Sequence, residues 1–280
     1  MPLHRPDTLD AALALMGRGG AQALGGGTDL YPALRDGVPP AELVDLTGVA
    51  ELVGVTREAE GWRIGGATTW SALLRADLPP LFDGLKAAAR EVGSVQIQNA
   101  GTVAGNLCNA SPAADGVPTL LALDAEVGLA SAAGTRRLPL AEFITGPRAT
   151  LLEAGEILAE IFITNAGGCS AFLKLGARKY LVISIAMVAA VIEAEASRIT
   201  RARIAVGACA PVAQRLPALE SMLYGKNVFQ LTEIVSEYPF SELTPIGDVR
   251  APAVYRDDAV RTLVARAITT AMEQEAAHVA

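Results

Sequence analysis

Apolar residues recur at helical spacing near the start of the chain, at Leu9, Ala12, Leu13 and Met16, with Asp7 or Thr8 placed to cap the run and Gly17, Gly19 and Gly20 to end it. A short strand, Ala21 to Leu24, runs into Gly25-Gly26-Gly27-Thr28-Asp29. Leu30 to Arg35 then predicts a brief helix and Glu42 to Leu46 a second strand. Trp62 to Gly65 predicts a strand. Thr68 or Thr69 can cap a helix over Trp70 to Arg75, and Pro80 to about Val92 predicts another helix. From Gly93 to Ala114 the periodicity gives way to Gly, Asn, Ser and Thr, so a long irregular segment is expected. Asp115 is placed to cap a helix through Leu123, with Pro118 in the tolerated first turn.

Strands are expected over Ala125 to Ala130, Arg136 to Leu138 and Ile157 to Thr164, and again over Ala171 to Leu175, Ile183 to Ile192 and Ile199 to Ala208. Helices follow near Ala213 to Tyr224, Asn227 to Glu237 and Asp257 to Ala277. The last carries Val260, Leu263, Val264, Ala267, Ile268 and Met272 as a core or interface stripe. Gly is denser before Asn165-Ala166-Gly167-Gly168 than after it, which predicts a boundary there. The expected architecture is α+β, with one domain over 1–167, subdivided at about residue 53, and a second over 168–280.

Composition narrows the chemistry. The 280 residues carry 23 Lys+Arg against 30 Asp+Glu, a net charge of −7, with 2 His and 3 Cys. An acidic chain without a basic block lacks the electrostatic footprint that nucleic-acid binding needs. Cys108, Cys169 and Cys209 are far apart and lack CxxC spacing, so neither a disulfide framework nor a metal site is indicated, and a reducing cytoplasm fits. Pro2 and Asp7 interrupt what a secretory signal would need as an apolar core. The longest apolar run, around Leu181 to Ile192, is too short to span a bilayer. Only 19% of residues are charged, against about 25% in typical domains, which fits a surface partly covered by a partner.

Two glycine loops carry the candidate chemistry. A glycine triplet after a strand lets backbone N–H groups converge on a diphosphate without Lys or Arg, and Gly25, Gly26, Gly27, Thr28 and Asp29 have that form. The GxGxxG spacing and a following GK[ST] are both absent, so this is neither a Rossmann fingerprint nor a P-loop. A tight turn with Asp29 as helix cap is the competing reading. The second loop, Gly101, Thr102, Val103, Ala104, Gly105, Asn106 and Leu107, adds a hydroxyl and an amide able to reach a phosphate or a ribityl hydroxyl. Ser111 and Asp115 follow. A carboxylate at 115 can accept from sugar hydroxyls or act only as a helix cap.

These segments in order, GGGTDL, IGGATTWSALL, IQNAGTVAGNLCNASPAADGVPTLLALDAEV and FLKLGARKYLVISIAMVAAV, resemble the FAD-binding medium subunit of molybdenum hydroxylases, the xanthine dehydrogenase, aldehyde oxidase and carbon monoxide dehydrogenase family. The most specific element is GN-x4-SP-x2-D at Gly105, Asn106, Ser111, Pro112 and Asp115. The resemblance implies a two-part FAD-binding domain of the PCMH/vanillyl-alcohol-oxidase type, followed by a smaller α+β domain of antiparallel sheet plus helices. It implies that the two loops embrace the FAD diphosphate, that Asp115 holds the cofactor further along, and that Lys174 reaches it. By residue type alone, Lys174 with Arg178 and Lys179 would be a solvated basic patch.

The resemblance further implies partners: a small subunit with 2Fe-2S clusters and a large subunit with the molybdopterin cofactor, assembled as a dimer of heterotrimers. Electrons from hydroxylation of an N-heterocycle or aldehyde on the large subunit would pass through FAD to NAD, oxygen, a quinone or another acceptor. No residue of this chain is then expected to act as an acid–base catalyst. A stand-alone FAD-dependent oxidase or reductase of the same superfamily, and a scaffold without cofactor, are the alternatives.

Some positions depart from the family pattern. Ala104 stands where another Gly is usual, Gln98 where Arg is common, and GGTDL replaces the GGHSL of carbon monoxide dehydrogenases. Cys108, inside the second loop, reads either as a reactive thiol or as a small buried neutral residue. His4 and His278 lie near the termini, where disorder is expected.

Overall fold

A computed structural model describes residues 2–34 and 37–279. Arg35, the last residue of the helix expected after the first glycine loop, lies outside the described residues. The chain forms two compact units, and it crosses between them more than once. The first comprises residues 2–76, 94–110 and 124–165, and the second 77–93, 111–123 and 166–279.

In the first unit Thr8 caps the helix Leu9–Met16 by accepting from Ala11 N–H. That helix buries Ala12 and Met16 beside a three-stranded parallel sheet in the order Leu3–His4, Glu42–Asp45, Ala21–Leu24. A five-stranded antiparallel sheet follows, in the order Val55–Arg57, Gly61–Gly65, Ile157–Thr164, Glu126–Ser131, Gly134–Pro139. Val44, Leu46 and Leu52 share one apolar core with Ala130, Ile157 and Ala159. Burial of such side chains is the main force holding the sheets in place.

The second unit is built on a four-stranded antiparallel sheet, Cys169–Leu175, Ala186–Glu195, Arg198–Gly207, Gln214–Arg215. Val188, Ala190 and Ile192 share a core with Val260, Val264 and Ile268 of the long helix Ala253–Val279. Alternation along a strand turns Met187, Ala189 and Val191 to the other face. Helices Asp83–Glu91 and Gly116–Ala122, both from earlier in the chain, pack on this sheet. Burial on both faces is why MVAAVI is uniformly apolar, and why those two helices group with residues beyond 166.

The expected strands and helices are present, several with altered ends, and the sequence pattern was misleading in three places. Residues 93–114 are not irregular: they hold helices Val95–Ala100 and Val103–Asn109, capped by Ser94 and Thr102 through bonds from Ile97 N–H and Gly105 N–H. The Ser, Thr and Asn that hid the helical period are the residues that start and end these short helices. Asp29 and Asp115 both sit at helix starts, but neither side chain makes a capping bond. His4 is ordered in the first strand against Glu42, at 3.1 Å, and His278 lies inside the long helix rather than in a disordered tail.

Asp248 ties down the entry to that helix. It accepts from Arg250 N–H and Ala251 N–H and pairs with Arg250 and the buried Arg256. These bonds, the Arg250 amide first among them, lower its carboxyl to about 2, below the ordinary value near 3.9. A depressed folded value stabilises the fold above the unfolded value, and that contribution is lost as pH falls through about 2. In an acid titration followed by circular dichroism, Asp248→Asn should therefore lose less stability than the natural chain between about pH 4 and 2.

Candidate active-site cradle

The two glycine loops meet within the first unit. A Cβ on Gly26 would lie 1.7 Å from the Ala100 carbonyl oxygen and 2.8 Å from Gly101 N. One on Gly25 would lie 2.7 Å from Thr102 Oγ1. Gly27 takes a left-handed backbone, φ +70°, and a Cβ there would also meet the Tyr31 ring at 2.5 Å. The triplet is therefore required by how closely the chain packs on itself.

The second loop is braced from its other side. Trp70 N–H donates to Gly101 O and Val103 N–H to Thr68 O, making a bridge between Thr69 and Thr102. Thr102 Oγ1 then accepts from Gly105 N–H and opens the helix Val103–Asn109. Val103 is fully buried and its N–H is engaged, so it anchors the loop and offers no free amide. Ala104, also buried, fits without opening the helix. Thr68 and Thr69 read from sequence only as helix caps. The double glycine just before them, where a Cβ on Gly65 or Gly66 would strike Leu52 O or Leu158 O at 2.4 and 2.1 Å, was the available signal.

What this packing leaves open is a set of donors. Among the described residues, no acceptor takes the backbone N–H groups of Gly25, Gly26, Gly27, Thr28 or Ala104. Asn106 Oδ1 is buried without a partner. Beside the loops lies a cavity of about 340 Å³, bordered by Ala23, Gly25, Thr102, Gly105 and the segment 152–158. Cys108 lines it, and burial pushes its thiol up to about 12, so the neutral reading holds and no thiolate forms there near neutral pH.

The remaining candidates lie in the second unit. Lys174 is not a solvated cation: its ammonium sits 2.7 Å from Asp115 and donates to Glu91 O, with the two side chains only 7% and 9% exposed. Ser184 donates to the other Asp115 oxygen at 2.7 Å. Burial pushes the Asp115 carboxyl up from its ordinary value, while Lys174 and Ser184 oppose that shift. Ser111 accepts from Ala113 N–H in a local turn. Ser184 drew no notice in the sequence, because its partner is 69 residues away.

Residues 1–165 match the family described as FAD binding domain in molybdopterin dehydrogenase. The chain belongs to that family. Residues 171–271 match the CO dehydrogenase flavoprotein C-terminal domain. The xanthine dehydrogenase FAD-binding subunit of Escherichia coli O157:H7 is 31% identical over 279 residues, covering 96% of this chain and 95% of that protein. The glyceraldehyde dehydrogenase medium chain of Sulfolobus acidocaldarius is 29% identical over 270 residues, covering 94% and 95%. Among solved structures, quinoline 2-oxidoreductase from Pseudomonas putida 86 superposes with a TM-score of 0.90 at 26% identity over 98% of both chains. Reconstituted CO dehydrogenase from Oligotropha carboxidovorans gives 0.89 at 28% identity, also over 98% of each.

This FAD-binding medium subunit of the molybdenum hydroxylases thus has residues that fit its cofactor. Open amides in a glycine cradle suit a diphosphate, and the unpartnered Asn106 oxygen suits a hydroxyl donor. Gly26→Ala should displace the loops from each other. We expect a stability loss of about 1–3 kcal/mol, read by urea denaturation, together with a substoichiometric FAD content. Lys174→Met leaves a buried carboxylate uncompensated and should cost about 3–5 kcal/mol. The double variant Lys174→Met/Asp115→Leu should be more stable than that single variant in the same assay.

Proposed function

We propose that the subunit conducts electrons within a heterotrimeric molybdenum hydroxylase, with FAD held at the two loops of the first unit. The reading rests on one observation: the open N–H groups of Gly25 to Thr28, packed against the second loop at Thr102, with the unpartnered Asn106 oxygen in the helix which that loop opens. Each such N–H bond to a charged phosphate is worth about 1.5–3 kcal/mol, so a few amides hold a diphosphate on an acidic chain. The cavity bordered by Ala23 and Gly105 takes the adenosine half. Only Glu153 and Glu156 among its lining residues are charged, which suits a neutral ring system better than a second anion.

Lys174 keeps a donor and Asp115 keeps lone pairs beyond the bonds they make to each other, to Glu91 and to Ser184. Both therefore keep capacity to hold a polar group without giving up the pair. When bound, FAD supplies a redox centre able to exchange one or two electrons, and no side chain of this chain needs to act as acid or base. Electrons would arrive from a small 2Fe-2S subunit, released by hydroxylation at a large molybdopterin subunit, and leave for an external acceptor.

The substrate class is an N-heterocycle or an aldehyde, since relatives include both a nicotine 6-hydroxylase medium subunit and a glyceraldehyde dehydrogenase medium chain. We place the complex in the cytoplasm, where the free thiols of Cys108, Cys169 and Cys209 persist, and assign it a dimer of heterotrimers.

Affinity purification of the tagged chain from its native cells should recover two further subunits, iron, molybdenum and FAD in fixed ratio. FAD recovered on the chain alone would favour a stand-alone oxidase, and no flavin at all would leave a scaffold. Ala23→Phe, which fills the cavity, should yield a folded complex without FAD. Full FAD occupancy in that variant would remove the adenosine assignment.

A further inference from the structure

One wall of the 340 Å³ cavity is a turn with no regular hydrogen-bonded ladder of its own, residues 151–156. It enters the strand Ile157–Thr164 through Gly155, whose φ is +83° and where an added Cβ would lie 3.7–4.0 Å from the backbone of Met16 and Gly17. A turn of this kind would ordinarily move, yet two side chains fasten it. Glu156, 8% exposed, receives Arg136 Nε at 2.7 Å and Arg136 Nη2 at 2.8 Å on its two carboxylate oxygens. The same Nη2 donates to Leu151 O at 2.8 Å, and Glu153 N–H donates to Glu156 Oε2 at 2.8 Å. The ion pair therefore holds the first, middle and last residues of the turn. Arg136 lies on the largely exposed strand Gly134–Pro139, and its own side chain is 39% exposed, so the clamp is fastened from the solvent side.

We propose that the Arg136–Glu156 pair is a clamp that holds the cavity wall closed on the adenosine half of FAD, so that Arg136 and Glu156 are positioning residues for the cofactor. This rests on the assignment of the adenosine half to that cavity. The geometry suits the role, because a bidentate Arg–carboxylate fixes orientation as well as distance. Arg136 is partly exposed, so replacing Glu156 by its amide strands no buried cation.

The test measures cofactor release from the intact complex, by recovery of free flavin fluorescence after dilution, alongside equilibrium binding of FAD and of FMN to the deflavinated complex. Glu156→Gln should release FAD about ten-fold faster or more, the loss of one charge-assisted bond, while FMN, which lacks the adenosine half, binds as before. Arg136→Lys, which keeps the charge but not the fork, should fall between. If FAD release is unchanged in both variants, or if FAD and FMN weaken in parallel, the clamp is overturned. Should Ala23→Phe lose FAD while Glu156→Gln keeps it at the natural rate, the clamp falls and the cavity assignment stands. Should Ala23→Phe retain FAD, the cavity assignment itself falls.

Discussion

The approach of Gly26 to the Ala100 carbonyl is the constraint on which the first unit's site depends. No side chain fits between Gly26 and Ala100, so at that point the loops meet backbone to backbone. The backbone of Gly101 and Val103 is in turn fixed to Thr68 and Trp70. Each glycine of the triplet then has a separate reason: Thr102 crowds Gly25, Ala100 crowds Gly26, and the turn toward Tyr31 needs a left-handed residue at 27. The N–H groups of Gly25, Gly26 and Gly27 have no acceptor among the described residues, so the open donors of the proposed cradle result from tight packing.

The second unit has a different device. Taking Asp115 and Lys174 out of water is unfavourable, and the pair need not stabilise the fold relative to two apolar residues. What it does is join elements distant in sequence: the start of the helix Gly116–Ala122, the strand Cys169–Leu175, the end of the helix Asp83–Glu91 and Ser184 just before the next strand. A single misplaced element would leave a buried charge unpaired. The pair thus selects one arrangement of these four segments, and it explains why Asp115 stands at a helix start without capping it.

Much of this was legible in the chain. The strands Ala21–Leu24, Ile157–Thr164 and Ala186–Glu195 announce themselves by apolar runs, and the long helix Ala253–Val279 by its stripe. The GN-x4-SP-x2-D element brought Asn106 and Asp115 into view. What stayed hidden falls into two kinds. The helices Val95–Ala100 and Val103–Asn109 are short enough that their caps and ends outweigh their period. The cavity wall at 151–156, Ser184 and the Thr68–Thr69 brace depend on partners tens of residues away, or on contacts of backbone to backbone. Side-chain pattern does not encode such contacts, except through glycines whose Cβ would have collided.

The small inventory of His and Cys follows from the same logic. A ligand held by main-chain N–H groups and by the shape of a cavity lined with Ala and Gly needs few titratable side chains, and the Cys108 thiol in that cavity is kept neutral by burial. Binding by peptide dipoles also spares the chain a cluster of cations, so an anion can be bound on a protein of net charge −7. Substituting a cation for one of these glycines would add attraction but remove the close approach that fixes the remaining amides. Electrostatic strength and geometric precision would compete at the proposed site, and the close packing of Gly25, Gly26 and Gly27 favours geometry.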